Sequence, residues 1–254
     1  MIFDHNLVLL LFFAFMAGYI DSVVGGGGLI QMPAFLIFAP HLGITTVLGS
    51  NKLSALMGTA VATFKYLQTS KVIWRAVLPA LISCLIFSFL GAKMVSHLNK
   101  EALRFVILFM LIAVAIYTFI KKDFGKDHNP KHAGNRTIAL SIATGSVLGF
   151  YDGFFGPGTG SFLFLAYVAL FGFDFMNASV SAKIINCGTN LAALVFFMYG
   201  GFVDYTIAIP VGIVNMAGSY LGAHMAIKKG SGFVRILFLV IVTVLIVKFG
   251  YDML

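Results

Sequence analysis

Apolar residues run through this chain in long blocks, and the polar ones gather at a few recurring places. Six blocks, Thr45–Leu67, Val72–Val95, Ala102–Ile120, Ala178–Tyr199, Tyr205–Ile227 and Phe233–Phe249, approach or exceed the length of a membrane-crossing helix. Such a helix needs about 20 residues for a hydrocarbon core of roughly 30 Å. Shorter apolar arms flank two glycine clusters. Asn6–Ile20 and Leu29–Phe38 enclose Gly25–Gly28, while Thr137–Tyr151 and Ser161–Phe171 enclose Gly156–Gly160. At 1.5 Å per residue these arms are about 15–22 Å long, so none is expected to cross alone. Each unit either crosses once as a broken helix or dips in and returns as a re-entrant hairpin.

The polar positions occur twice at one offset. Asp21, Gly25, Gly27, Lys52, Pro79 and Arg104 return 131 residues later as Asp152, Gly156, Gly158, Lys183, Pro210 and Arg235, and Gly91-Ala92 returns as Gly222-Ala223. A shared offset over so many positions points to duplication, and its period is too long for a solenoid. The expected fold is an all-α polytopic membrane protein of two repeats, 1–120 and 137–254, joined by a linker at 121–136. Each repeat holds a broken or re-entrant helix pair and three transmembrane helices. Glycine-interrupted segments at matching places in two membrane halves mark the binding region of secondary transporters.

Composition agrees with a membrane protein. The chain has 254 residues, 60% hydrophobic and 10% charged, against about 25% charged in soluble domains. A formal net charge of +8 lies mainly in short loops, where it orients membrane spans and leaves no footprint for nucleic acid. With hairpins, the basic side holds Lys65, Lys71 and Arg75, five residues of Lys121–Arg136, and Lys228, Lys229 and Arg235. That makes 11 against four opposite, whereas singly crossing units give 9 to 6. The positive-inside rule favours hairpins and inverted repeats, with both termini outside and Lys121–Arg136 cytoplasmic.

Asp21, Lys52, Asp152 and Lys183 are the charges placed at membrane depth, where each costs about 2.5–3.5 kcal/mol on insertion scales. The lysines either snorkel to the interface or line a site. Ser179, Lys183, Asn186 and Asn190 fall on one helical face; Lys52, Thr59 and Thr63, with Asn51 adjacent, make a thinner stripe. Helices restarting after the glycines would aim free N–H groups at the bilayer middle. Gly25, Gly26, Gly27, Gly28, Gly156, Gly158, Gly160 and Ser161 are therefore candidate anion-binding residues, with Lys52, Asn51, Lys183, Asn186 and Asn190. The two lysines would make this centre doubly electropositive. Asp21 and Asp152 are either turn residues or lysine partners, or else they carry coupling protons.

Other chemistry finds no support. Cys84 and Cys187 lie in apolar spans and read as small hydrophobes. Asp127, His128 and His132 sit in the longest polar loop and read as solvated linker, so no metal is expected. Leu7–Ala17 lacks the basic flank and cleavage pattern of a signal peptide. No phosphate-loop or dinucleotide motif occurs, no nucleophile–base pair accompanies the repeated motifs, and His224 has no carboxylate within a turn. Neither an enzyme nor a cofactor is expected, and energy would come from an ion gradient, the membrane potential or a partner protein.

Gly18-Tyr19-Ile20-Asp21-Ser22-Val23-Val24-Gly25-Gly26-Gly27-Gly28 and Gly49-Ser50-Asn51-Lys52-Leu53-Ser54-Ala55 resemble the first-half signature of the TauE/SafE family of sulfite and organosulfonate transporters. Gly149-Phe150-Tyr151-Asp152-Gly153-Phe154-Phe155-Gly156-Pro157-Gly158-Thr159-Gly160, with Ser181-Ala182-Lys183 and Asn186, is similar to its second-half motif. The resemblance spans essentially the whole chain. It implies a multi-pass protein of the bacterial inner membrane that moves sulfite, sulfoacetate or related sulfonates by alternating access, with the bilayer and a small anion as partners. A proton is the candidate coupling ion, and no oligomeric partner is indicated. A passive anion channel, or transport of a carboxylate-type anion, is the alternative.

Overall fold

The computed structural model describes residues 5–96, 129–132 and 134–252, with side chains through residue 230. Every regular element among them is helical: α1 (His5–Val24), α2 (Gly28–Phe38), α3 (Ile44–Leu67), α4 (Trp74–Ser96), α5 (Asn135–Phe154), α6 (Thr159–Ala166), α7 (Phe175–Tyr199) and α8 (Tyr205–Asp252). A π turn, Tyr167–Phe171, extends α6, and α8 breaks at Gly230, where φ is 69°. The expected span Ala102–Ile120, Arg104 and most of the linker lie outside the described residues.

Both expected interruptions are present. α1 stops at Val24 because Gly25 takes φ 80°, and the second break carries φ 98° at Gly156 and 83° at Gly158. Left-handed backbone of this kind is open to glycine and costly for other residues. The arms differ from expectation in length. α1 continues through Asp21–Val24 to 20 residues and is long and apolar enough to cross a membrane by itself, as are α4, α7 and Tyr205–Gly230 of α8. α3 has 24 residues but is more polar, and its Ser50, Asn51, Lys52 and Ser54 are all buried. Polar groups at membrane depth are tolerated where protein covers them. α7 holds the middle. Its apolar window is 72% buried, against 39–44% for the windows of α1, α4 and α8, whose outer faces are exposed apolar side chains such as Phe12, Ile82 and Ile213.

The two halves are packed crosswise. α4 of the first half lies on α5 of the second, α8 of the second lies on α1 of the first, and α3 meets α7 between them. Lipid tails are as apolar as the helices, so association rests on close approach through small residues. Gly91 faces the backbone of Phe150 and Phe154, and its repeat Gly222 faces that of Tyr19. Gly149 faces Cys84, and Gly18 faces Asn215. Tyr19 and Phe150, Cys84 and Asn215, are themselves 131 apart, so exchanging the halves reproduces the contacts. Polar stitches add to the seams: Ser83 Oγ of α4 donates to Ile142 O of α5 (3.2 Å), and Ser88 Oγ of α4 to Thr189 O of α7 (2.7 Å).

A Cβ at Gly91 or Gly222 would overlap backbone of the facing helix. Gly91→Val and Gly222→Val are each expected to cost about 1–3 kcal/mol by overpacking. Gly43→Ala, whose Cβ would meet only Thr46 Oγ1 at 3.9 Å, should melt like wild type in a detergent thermal-unfolding assay. Equal melting of all three variants would contradict the glycine seams.

Candidate functional site

The two glycine turns form from the same materials and meet face to face. In the first, Gly25 N donates to Asp21 O (2.7 Å), and Gly27 N donates to Asp21 Oδ1 (3.3 Å). In the second, Phe155 N donates to Tyr151 O (2.8 Å), Thr159 Oγ1 to Gly156 O (2.7 Å) and Tyr151 OH to Pro157 O (2.7 Å). Ser161 joins the turns, its N donating to Gly25 O (3.1 Å) and its Oγ to Val24 O (2.7 Å). A Cβ on Gly25 would enter the Gly160–Ser161 backbone, and one on Gly28 would lie 2.9 Å from Pro157 Cα. The missing side chains are what let the turns touch.

The intramembrane charges are paired across the halves. Lys52 Nζ on α3 lies 2.6 Å from Asp152 Oδ2 on α5, with side chains 3% and 2% exposed, and also donates to Asn190 Oδ1 (3.2 Å). Lys183 Nζ on α7 lies 3.1 Å from Asp21 Oδ2 on α1, with side chains 5% and 16% exposed, and also donates to Asp21 O. Each lysine therefore answers the carboxylate of the other half. Neither snorkels, because both ammonium groups end on partners inside the protein, Asp152 buried and Asp21 partly so. The four charges sum to zero, which corrects the expectation of a doubly electropositive centre. The remaining positive character comes from the dipole ends at the starts of α2 and α6, where Leu29 N and Ile30 N already donate to Gly26 O and Gly27 O, and Thr159 N and Ser161 N to Gly156 O and Gly25 O.

A cavity of about 30 Å³, measured over the centres of water-sized spheres, lies between the turns. That is roughly twice the room one water needs. Of the expected residues, Gly25, Gly27, Gly28, Gly156, Gly158 and Gly160 line it, as do Asn51, Lys52, Asn186, Asn190, Asp21 and Asp152. Gly26, Ser161 and Lys183 are not in its wall. Ser161 stitches the turns, Gly26 sits beside it, and Lys183 stands behind Asp21. Asn51 is 6% exposed, and its Oδ1 has no partner. Among the described residues no three His, Cys, Asp or Glu gather to hold a metal ion.

Gln31, Ala55 and Asn215 also line the cavity and were not expected, while Thr59 had been placed only on the thinner stripe. Ser219 Oγ donates to Asn215 Oδ1 (3.3 Å), Asn215 Nδ2 to Gln31 Oε1 (2.6 Å) and Gln31 Nε2 to Ser54 Oγ (2.5 Å). Repeat matching misses this chain, since the positions 131 residues from Gln31 and Asn215 are Phe162 and Cys84. The usable signal was a carboxamide inside an apolar arm, which must find partners in the bundle.

A family model described as Sulfite exporter TauE/SafE matches residues 10–249. The chain is 33% identical over 249 residues to "Probable membrane transporter protein ORF9" of Sinorhizobium sp, covering 98% of this chain and 94% of that one. It is 32% identical over 246 residues to "Probable membrane transporter protein YfcA" of Escherichia coli K12, covering 97% and 90%. A "Probable membrane transporter protein" of Haemophilus influenzae is 34% identical over 250 residues, covering 97% and 95%. No solved structure matches.

Neighbouring glycines separate shape from composition. Gly25→Ala is strained by φ 80° and blocked by Gly160, whereas a Cβ at Gly26 would meet nothing nearer than 3.7 Å. Gly25→Ala should lower the melting temperature and abolish ligand-induced stabilisation, while Gly26→Ala keeps both. Comparable behaviour of the two variants would show that contact between the turns is dispensable.

Proposed function

The chain belongs to the sulfite exporter TauE/SafE family, and from that premise we propose that this multi-pass membrane transporter is a secondary carrier of small sulfur-containing anions. Sulfite, sulfoacetate and related organosulfonates are the proposed substrates. The observation that carries this reading is the meeting of two glycine turns and two crossed lysine–carboxylate pairs around one small polar cavity. Lys52 and the carboxamides of Asn51 and Asn186 supply donors to an oxyanion, beside the positive dipole ends of α2 and α6. Such charge-assisted donors are worth about 1.5–3 kcal/mol each. The family description favours a sulfur oxyanion over a carboxylate, and the cavity favours a compact one.

Transport in this reading is alternating access between inverted repeats, 1–120 and 137–254, joined by a cytoplasmic segment 121–136. The crossed pairs tie each repeat to the other, so relative movement must loosen at least one of them. Asp21 and Asp152 are the proposed sites of proton coupling.

Removing one lysine alone would strand a carboxylate, at a cost of about 3–5 kcal/mol, so the informative variant is charge-balanced. Lys52→Met combined with Asp152→Leu should fold yet bind sulfite about 10- to 150-fold more weakly, the equivalent of one such contact. Lys93→Ala, at an exposed position, should bind like wild type. Calorimetry on purified protein reads both, and unchanged affinity in the double variant would remove Lys52 from the site. Cysteine accessibility in cells checks the orientation, with a label at Leu254 expected outside and one at Lys126 inside. A cytoplasmic C-terminus would overturn the inverted arrangement.

A further inference from the structure

Lys52, the lysine that lines the cavity, already holds a carboxylate, and so does Lys183 behind Asp21. Lys52 Nζ is 2.6 Å from Asp152 Oδ2, and Lys183 Nζ is 3.1 Å from Asp21 Oδ2. A carboxylate and a sulfur oxyanion present the same negative oxygens to an ammonium donor, so the two compete for one position. Once its lysine is taken, a carboxylate needs another cation or a proton. The groups around Asp152 are Lys52 of α3, Asn190 of α7, Cys84 of α4, and Tyr151 of its own helix, whose hydroxyl is turned to Pro157 O. Those around Asp21 are Lys183 of α7, Tyr66 of α3, whose hydroxyl donates to Ser22 O, and the Gly27 amide. α8, packed on α1, turns Asn215, Gly218, Ser219 and Gly222 toward it, while His224 is exposed. Among the described residues neither carboxylate faces a second cation.

We infer that Asp21 and Asp152 are tethered stand-ins for the transported anion, each holding its lysine until it takes up a proton and yields the place to substrate. This rests on the anion-transport reading. In the exchange the Nζ–Oδ2 hydrogen bond breaks, the incoming proton stays on the carboxyl group, and Nζ donates instead to a substrate oxygen. With a singly charged anion, one proton therefore enters for each anion bound, and the net charge of the centre is unchanged. The two pairs differ in access. Asp152 is 2% exposed and Lys52 has a second partner in Asn190, while Asp21 is 16% exposed. Asp21 is the carboxylate that releases first, and Lys52–Asp152 is the inner lock.

The probes are sulfite and methanesulfonate, the second of which keeps its single charge from about pH 5 to pH 8. Wild type should bind methanesulfonate more weakly as pH rises, approaching tenfold per pH unit where one proton is linked to one anion. In weakly buffered solution near pH 7, adding methanesulfonate to wild type should draw up to about one proton per anion bound, a readout that requires no variant. Asp21→Asn should bind about tenfold or more tightly than wild type at pH 8, with a flattened pH profile, and Asp152→Asn should do the same if it folds. Binding by wild type without pH dependence and without proton uptake would overturn the stand-in role while leaving the anion site intact. Weaker binding in Asp21→Asn than in wild type at pH 8 would overturn it as well. If wild type binds neither probe at any pH, the anion reading itself falls, and this inference with it.

Discussion

A charge inside a membrane has to be answered by another charge, and in this protein the answer always comes from the other half of the chain. Lys52 closes on Asp152 and Lys183 closes on Asp21, over separations of 100 and 162 residues. Removing one partner of such a buried pair costs about 3–5 kcal/mol, so each half depends on the other for the pairing observed. The crosswise packing of α4 on α5 and of α8 on α1 follows from the same requirement. It brings each lysine-bearing helix, α3 or α7, beside the glycine turn that presents the opposite carboxylate. The structure is tied together across its two halves, although the same polar positions recur in each at one offset.

Glycine makes that arrangement possible in two separate ways. At Gly25, Gly156 and Gly158 it allows left-handed backbone, so helices stop and restart in the interior. At Gly18, Gly91, Gly149 and Gly222 it allows helices to touch backbone to backbone, which is how association proceeds without a hydrophobic driving force between helices. The first use creates polar backbone at depth, and the second supplies the close protein cover that such backbone needs. Substitutions of the two kinds therefore fail for different reasons, one by strain in φ and one by overlap.

The pairing also reshapes the functional picture. Two isolated lysines would simply attract anions, whereas here each lysine is already paired with a carboxylate, which on the proposed anion reading is an internal competitor. Exact duplication would leave the cavity two-fold. Gln31 and Asn215 break that symmetry, facing one another where the repeat has Phe162 and Cys84, so one wall carries a carboxamide network and its counterpart does not.

Much of this was legible in the residues. The 131-residue offset marked positions that make matching contacts, the glycine clusters marked the helix breaks, and Lys52, Lys183, Asn186 and Asn190 were identifiable because polar groups in apolar spans need a reason to be there. Those inferences depend on local cost, which a sequence displays directly. Three things depended on partners instead. The crossed pairing was invisible, because whether Asp21 answers Lys52 or Lys183 is a question of which helices touch. Gln31 and Asn215 escaped because they satisfy each other across 184 residues and have no repeat counterpart. The length of α1 was underread because Asp21 looked like an end, whereas Lys183 lets the helix run on to Val24. What the sequence determined by itself was where polarity and flexibility sit along the chain. Tertiary structure alone decided which of those groups meet, since the free energy of a buried charge is set by its neighbour in space.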